Sequence, residues 1–484
     1  MDWHHPSELD QAHFDPAEVF AAGLVLHHIA NTAYPIGHIT TMRSYKVPRS
    51  QVQAVAAQAW EEVPRLGLYV HVPFCEARCG FCEYTVLDPP ANAENEAAYF
   101  DLLLREFDLC SQALDTPAKT LVGFDIGGGT PAFPATRQIE RVVLAARQYF
   151  NLPEQVAISI ETTPRIAARQ AEKLRAYYAM GIRRISMGVQ TINPRLLEAV
   201  GRNATSLAYN QAATENIRSA GFERFNIDVM YGFAHQPLAS VEATLRHVIG
   251  LGPEYVTLYR MRYKGTRLAG HAEQVSLGEV NAQVQLAKRM LLAAGYHGAP
   301  GKNTFSLLAD EPGTSDYLTE RVVQGTPYLG LGLGAQSLSH KTLAYNSGAA
   351  DKRLGHYQRQ VEAGLLPIQD LYHLSTAAAM GKMISVSFYF GEINLGYFQD
   401  KFGVSLEQAF PDEVDFVLRN GLMEYGVPGE GQAAKTLQLT LLGEDQINGV
   451  MALFYAGAVK AHLLNMAAGL RLPLRLEAGA LQAV

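Results

Sequence analysis

Cysteine is scarce in this chain: there are four in 484 residues, and three of them, Cys75, Cys79 and Cys82, fall within eight positions. So sparse and clustered a set excludes a disulfide framework and points to a reducing compartment where neighbouring thiols hold metal. Long apolar runs are missing too, and none approaches the ~20 residues that span a bilayer. Positive charge is not in excess: 40 Lys and Arg stand against 47 Asp and Glu, for a net charge of -7. That leaves no basic footprint for phosphates, so no nucleic-acid partner is expected. The first residues, MDWHHPSELDQ, lack a basic stretch leading into an apolar one and do not read as a secretory leader. A cytoplasmic protein without membrane attachment is the expectation. Internal repeats and low-complexity segments are absent as well.

What is present is alternation. The runs LGLYVHV (66–72), TLVGFDIGG (120–128), VAISIET (156–162), RRISMGVQ (183–190), RFNIDVMYG (224–232) and YVTLYRM (255–261) read as strands. Between them, segments such as IERVVLAARQYF (139–150) and ARQAEKLRAYYAM (168–180) repeat apolar residues at helical spacing. Gly181 and Gly221 sit where a helix end needs a left-handed residue. Six βα units imply a partial (β/α)6 barrel over residues 61–345, with chemistry at the C-terminal strand ends. PYLGLGLGAQSLS (327–339) reads as a seventh strand closing the layer. Residues 1–60 read as a polar, proline-bearing arm extended over the surface, and residues 346–484 as a mainly helical, winged-helix-like domain.

HVPFCEARCGFCEYT (71–85) places C-x3-C-x2-C directly after the first strand. Three thiolates can hold three irons of a [4Fe-4S] cube and leave the fourth open. The alternative is a structural zinc site with a distant fourth ligand, although zinc cysteines usually come as two C-x2-C pairs. Cys110, inside an amphipathic segment, reads as an inert core thiol.

A C-x3-C-x2-C loop opening a six-unit βα barrel resembles the radical S-adenosylmethionine (SAM) superfamily. YVHVPFC, CGFC, DIGGGTP, SIETTP, RISMGVQ, FNIDVMYG and GLGLGAQSLS, in that order across about 270 residues, narrow the likeness. Together they resemble the family of oxygen-independent coproporphyrinogen III oxidases. That family also holds haem chaperones, haem-degrading enzymes, and SAM-dependent methylases and cyclopropanases. The resemblance implies that Cys75, Cys79 and Cys82 carry a [4Fe-4S] cluster whose open iron is chelated by SAM. It makes Tyr69, the Gly127–Thr130 turn (Gly128, Gly129 and Thr130 in particular) and Glu161 contacts of that SAM. It further makes Phe81, Gly129, Thr130, Gln190, Arg202 and Asp228 contacts of a second SAM molecule. An external electron donor such as flavodoxin or ferredoxin and a small-molecule substrate are implied as partners, and a monomer is the default.

The chain also departs from that pattern. Tyr84 stands where the porphyrinogen-oxidising enzymes carry a fourth cysteine, and the arm reads TAYPIGHITTMRSY in place of their arginine-tyrosine-threonine-serine-tyrosine-proline run. A small alanine expected beside the second SAM appears as Met261. His38 in the arm reads as solvated, and Tyr389 with Phe388 and Phe390 as core. These departures, with the retained two-SAM set, favour transfer of a one-carbon unit, by methylation or cyclopropanation, to an sp2 carbon of a specialised metabolite. Oxidation of coproporphyrinogen III, radical opening of haem, and haem chaperoning without turnover are the alternatives.

Overall fold

Covering both faces of a strand with different chemistry is what the six runs achieve. In the computed structural model, which describes residues 4–29, 34–88, 93–202, 207–426 and 435–469, they are β1 (Arg65–Val72), β2 (Thr120–Gly128), β3 (Ile158–Thr162), β4 (Ile182–Gln190), β5 (Arg224–Tyr231) and β6 (Tyr255–Arg260). Each pairs in parallel with the next, and helices fill the connections. Residues alternate in facing. Leu66, Leu68, Val70 and Val72 of β1 are buried with Phe100, Leu103 and Phe107 of the helix Ala93–Leu114. On the opposite faces Ser186, Asn226, Asp228 and Thr257 join in one lumenal network: Asn226 Nδ2 donates to Asp228 (2.7 Å) and Ser186 (2.7 Å), and Thr257 Oγ1 donates to Asn226 Oδ1 (2.8 Å). The fold is therefore a partial (β/α)6 barrel with an apolar outside and a polar lumen.

The sheet runs on at both edges. β7 (Thr304–Ser306) pairs antiparallel with β6, and β8 (Tyr328–Leu331) runs parallel beside β1. β9 (Gln336–Leu338), β10 (Thr342–Asn346) and β11 (Ile368–His373) extend that edge, giving eleven strands among the described residues. The stretch 327–339 is thus not one strand but two, folded back at Gly332 (φ 99°) and Gly334 (φ 72°). A Cβ on Gly332 would lie 2.6 Å from His71 O, so only glycine lets the hairpin close against β1. The helical region begins later than residue 346, because LYH of LYHLSTAAAMGK is strand β11. It carries its own antiparallel sheet of β12 (Glu392–Asn394), β13 (Met423–Tyr425) and β14 (Thr436–Leu439), in the order β12-β14-β13. Its last segment is broken into Ile447–Leu453 and Gly457–Gly469 rather than one helix.

The described part of the first 60 residues is not an extended arm. The helix Pro16–Val25, opened by Asp15 accepting from Ala17 N, buries Val19, Phe20 and Ala22 in the same core as Val450, Phe454 and Val459 of the C-terminal helices. It is apolar on nearly every side, so it shows no amphipathic stripe. His38 is not solvated: its ring stacks on Tyr345 with centroids 4.4 Å apart. Residues 30–33, the start of ANTAYPIGHITTMRSYKVPR, lie outside the described residues. Cys110 is buried in the barrel core. Among the described residues no helix is long and apolar enough to cross a membrane.

Candidate active site

The loop after β1 and the ends of β2 to β6 enclose a cavity of about 250 Å3. Cys75, Cys79 and Cys82 line it, all partly buried and unpaired. Backbone bonds hold the loop: Gly80 N donates to Val200 O (2.9 Å), and Arg267 N to Gly80 O (3.1 Å). Side chains reach the sulfurs, with Arg202 Nε 3.1 Å from Cys79 Sγ and Thr130 Oγ1 3.5 Å from Cys75 Sγ. Burial pushes the Cys75 thiol up to about 12 and the Cys82 thiol upward, and the neighbouring thiols add to both shifts. Three thiolates this close need a cation among them. Among the described residues no three His, Cys, Asp or Glu side chains converge on a point that one metal ion could occupy. Cysteines that bind different irons of one cluster need not meet at such a point. The donor set fits the cluster.

Glycine makes room beside the sulfurs. A Cβ on Gly129 would lie 2.6 Å from Phe74 O and 2.9 Å from Cys75 Sγ, and Gly128 has φ 123°. Backbone can therefore approach a ligand here where side chains could not. Glu161 and Tyr84 (57% accessible) both lie deep in the molecule, yet their side chains are open to solvent, because what they face is the cavity. Burial, with Asp228 and Asp125 nearby, raises the Glu161 carboxyl to about 8, and burial raises Asp228 to about 6. A bound cation would relieve both. Gln190 adopts φ 67° where the β4–β5 register slips, and its Oε1 is buried without a partner. Gln190 thus lines the cavity from a strained position at a bulge.

Of the residues singled out from sequence, Cys75, Cys79, Cys82, Phe81, Gly128, Gly129, Thr130, Glu161, Gln190, Arg202 and Asp228 line this one cavity. Tyr69 stands behind it. Its hydroxyl is 3.2 Å from His71 Nδ1, which must accept because His71 Nε2 donates to Thr85 O at 2.7 Å. Met261 lies outside the cavity as well, packed among Val200, Met230, Phe233 and Tyr263.

Sequence reasoning missed Tyr259, Arg260 and Arg262, which form the far wall. Period-2 facing along YVTLYRM would have turned Tyr259 inward with Thr257, but nothing in the pattern marks the arginines after the strand. Arg262 Nη1 is 3.2 Å from Glu83 Oε1, and the Tyr389 hydroxyl and the Glu83 carboxylate hold its guanidinium protonated against burial. These three residues also line a second cavity of about 160 Å3, together with His27, Lys302 and Tyr389. Phe388 and Phe390 are core, as expected, but Tyr389 is not.

Residues 69–248 match the radical SAM superfamily. The chain carries a radical SAM domain. An anaerobic coproporphyrinogen III oxidase of Cereibacter sphaeroides is 29% identical over 65% of this chain and 70% of its own length. An oxygen-independent coproporphyrinogen III oxidase of Paracoccus denitrificans is 31% identical over 47% of this chain and 49% of its own. A haem chaperone, HemW, of Haemophilus influenzae is 27% identical over 41% and 52% respectively. The solved coproporphyrinogen III oxidase of Escherichia coli superposes with a TM-score of 0.70 at 23% identity, covering 87% of this chain and 96% of that one, which shows a shared fold. Such a domain implies a [4Fe-4S] cluster and SAM. The far wall of the cavity, from Tyr259 onward, lies beyond the matched domain.

Proposed function

We propose that this radical SAM enzyme takes a hydrogen atom from a carboxylate-bearing small molecule, with a porphyrinogen as the first substrate to test. The observation behind it is the far wall: Arg260 and Arg262 face the same cavity as the three cysteines. Guanidinium groups recognise carboxylates through paired hydrogen bonds. Similarity to coproporphyrinogen oxidases over 65% of the chain supports the same reading. When bound, the cluster and SAM supply a 5'-deoxyadenosyl radical. Cys75, Cys79 and Cys82 would hold the cluster, and the Gly128–Gly129 backbone and the Glu161 carboxylate would seat SAM. Gln190, Arg202 and Asp228 would hold a second SAM. Tyr84 and Tyr259 present phenols toward the substrate, while the lumenal network keeps the strand ends fixed.

One-carbon transfer to an sp2 carbon is the second reading, and one feature favours it. Tyr84 fills the position of the oxidases' extra cysteine, with its ring open to the cavity. Assay of reduced, reconstituted protein with SAM and coproporphyrinogen III separates the readings. Carbon dioxide formed with 5'-deoxyadenosine supports decarboxylation. S-adenosylhomocysteine formed with 5'-deoxyadenosine on another acceptor supports transfer and sinks the first proposal. Tight haem binding without SAM cleavage would favour a chaperone.

A further inference from the structure

Away from the active site, Arg321, His340, Lys382 and Lys401 line one small cavity that has no carboxylate on its wall. It lies between the turn Glu320–Gln324, strands β8 and β9, and the helices Thr376–Ser387 and Leu395–Phe402. Nearby acids are committed elsewhere. Glu320 accepts from Gln324 (3.2 Å) and Thr326 (3.0 Å), Glu62 pairs with Lys341 (3.5 Å) and Asp370 with Lys46 (2.6 Å). Asp125 acts on Arg321 from the lumen but accepts from Ser315 (2.6 Å) and does not reach the cavity wall.

Donors remain unused. Lys382 Nζ donates to Tyr34 O (2.7 Å) and Gln336 Oε1 (3.4 Å), and Lys401 Nζ to Gly325 O (2.7 Å). An ammonium has three protons, so among the described residues one is left on the first and two on the second. Among the described residues, Arg321 Nε and His340 Nδ1 have no partner but are closed off from solvent, and the Arg321 guanidinium lies over the Tyr328 ring at 4.0 Å and the Tyr317 ring at 5.0 Å. Burial with no counter-charge draws Lys382 down to about 7 and Lys401 to about 8. Keeping both lysines charged beside the Arg321 guanidinium is costly unless something opposes them.

We propose that this cavity binds one monatomic anion, chloride under physiological conditions. Its volume of about 20 Å3 has room for one small particle, which favours a monatomic anion. The anion would sit where three parts of the chain meet: the N-terminal region through Tyr34, the sheet edge through Gln336 and Gly325, and the C-terminal helices through Lys382 and Lys401. Its role is to hold that seam together, independently of which substrate the active site takes.

Thermal unfolding of the full, cluster-reconstituted chain in potassium chloride, bromide and gluconate at equal ionic strength and pH tests this. Halides are expected to raise Tm by roughly 1–3 °C over gluconate, saturating with concentration. Bromide-grown crystals should show an anomalous peak within contact distance of both lysine Nζ atoms. Lys382→Met is expected to abolish the halide-specific shift, and Lys401→Met serves the same purpose if the first variant does not fold. Equal Tm in all three salts, or a water without anomalous signal at the site, overturns the proposal. So does a bromide peak with no halide-specific shift, which would mean an adventitious ion only.

Discussion

Arg202 joins the cluster loop to the fourth strand: its Nε donates to Cys79 Sγ at 3.1 Å and its Nη1 to Gly188 O at 2.6 Å. A fixed cation at one thiolate stabilises the added electron when the cluster is reduced. Arg202→Ala is therefore expected to lower the cluster's midpoint potential and slow SAM cleavage by about 10- to 100-fold. Arg202→Lys should recover only part of this, because a point charge cannot span sulfur and carbonyl together. A redox titration followed by electron paramagnetic resonance, alongside 5'-deoxyadenosine release, reads both. Wild-type values in Arg202→Ala would remove the arginine from the mechanism.

The four cysteines divide three to one. Cys75→Ala, Cys79→Ala or Cys82→Ala should each leave reconstituted protein without the cluster's absorbance. Cys110 is buried against the barrel helices, so Cys110→Ala should keep iron content unchanged and lower stability by about 1–2 kcal/mol. Iron and sulfide analysis of the four variants decides it. Loss of iron in Cys110→Ala would show that the fourth thiol is more than packing.

Much of the barrel was legible because its evidence is local. Period-2 runs such as RRISMGVQ and glycines such as Gly181 (φ 97°) report their own geometry. The cluster loop was legible for the same reason, since its spacing lies within one stretch of chain. Two kinds of feature were not. Pro16–Val25 is apolar nearly all round, and it became a helix with a place only through Phe454 and Val459 more than 400 residues away. Arg262 owes its position to Glu83 and Tyr389. No periodicity marks an arginine whose meaning is set by two distant partners.

Gly129 is tied to Cys75 by space alone. With Cβ contacts of 2.6 Å to Phe74 O and 2.9 Å to Cys75 Sγ, Gly129→Ala must displace backbone, not a flexible side-chain tip. The variant should fold with a loss of about 1–3 kcal/mol and retain less iron after reconstitution. Unchanged iron loading and unchanged SAM affinity would mean that the loop yields more easily than its contacts suggest.

Glu161 should make SAM binding depend on pH. Its folded carboxyl titrates near 8 against an ordinary 4.5, chiefly through burial and then through Asp228. The folded chain therefore holds a proton that the unfolded chain has lost between those two values, and stability of the unliganded protein falls as pH rises through that window. Glu161→Gln should flatten the fall. A bound ammonium reverses the preference, so SAM affinity is expected to rise with pH up to about 8 and binding to release a proton. Calorimetry in two buffers of different ionisation heat measures that proton. No release at pH 7 would take the SAM amino group away from Glu161.

Arg262 separates substrate recognition from radical generation. It lies beyond the matched domain, on the wall shared by the two cavities, with Glu83 at 3.2 Å as its present partner. If it recognises a substrate carboxylate, Arg262→Gln should leave iron content and substrate-free SAM cleavage within about twofold of wild type. Substrate affinity should fall by roughly 10- to 100-fold, the worth of one charge-assisted hydrogen bond. Glu83→Gln should act oppositely, freeing the guanidinium and tightening binding. Fluorescence quenching with coproporphyrin III and its tetramethyl ester gives the affinities without turnover. Equal binding of acid and ester by the wild type, or no effect of Arg262→Gln on either, would leave the arginine a strut between the cluster loop and Tyr389 and send the search for the substrate's anchor to Arg260.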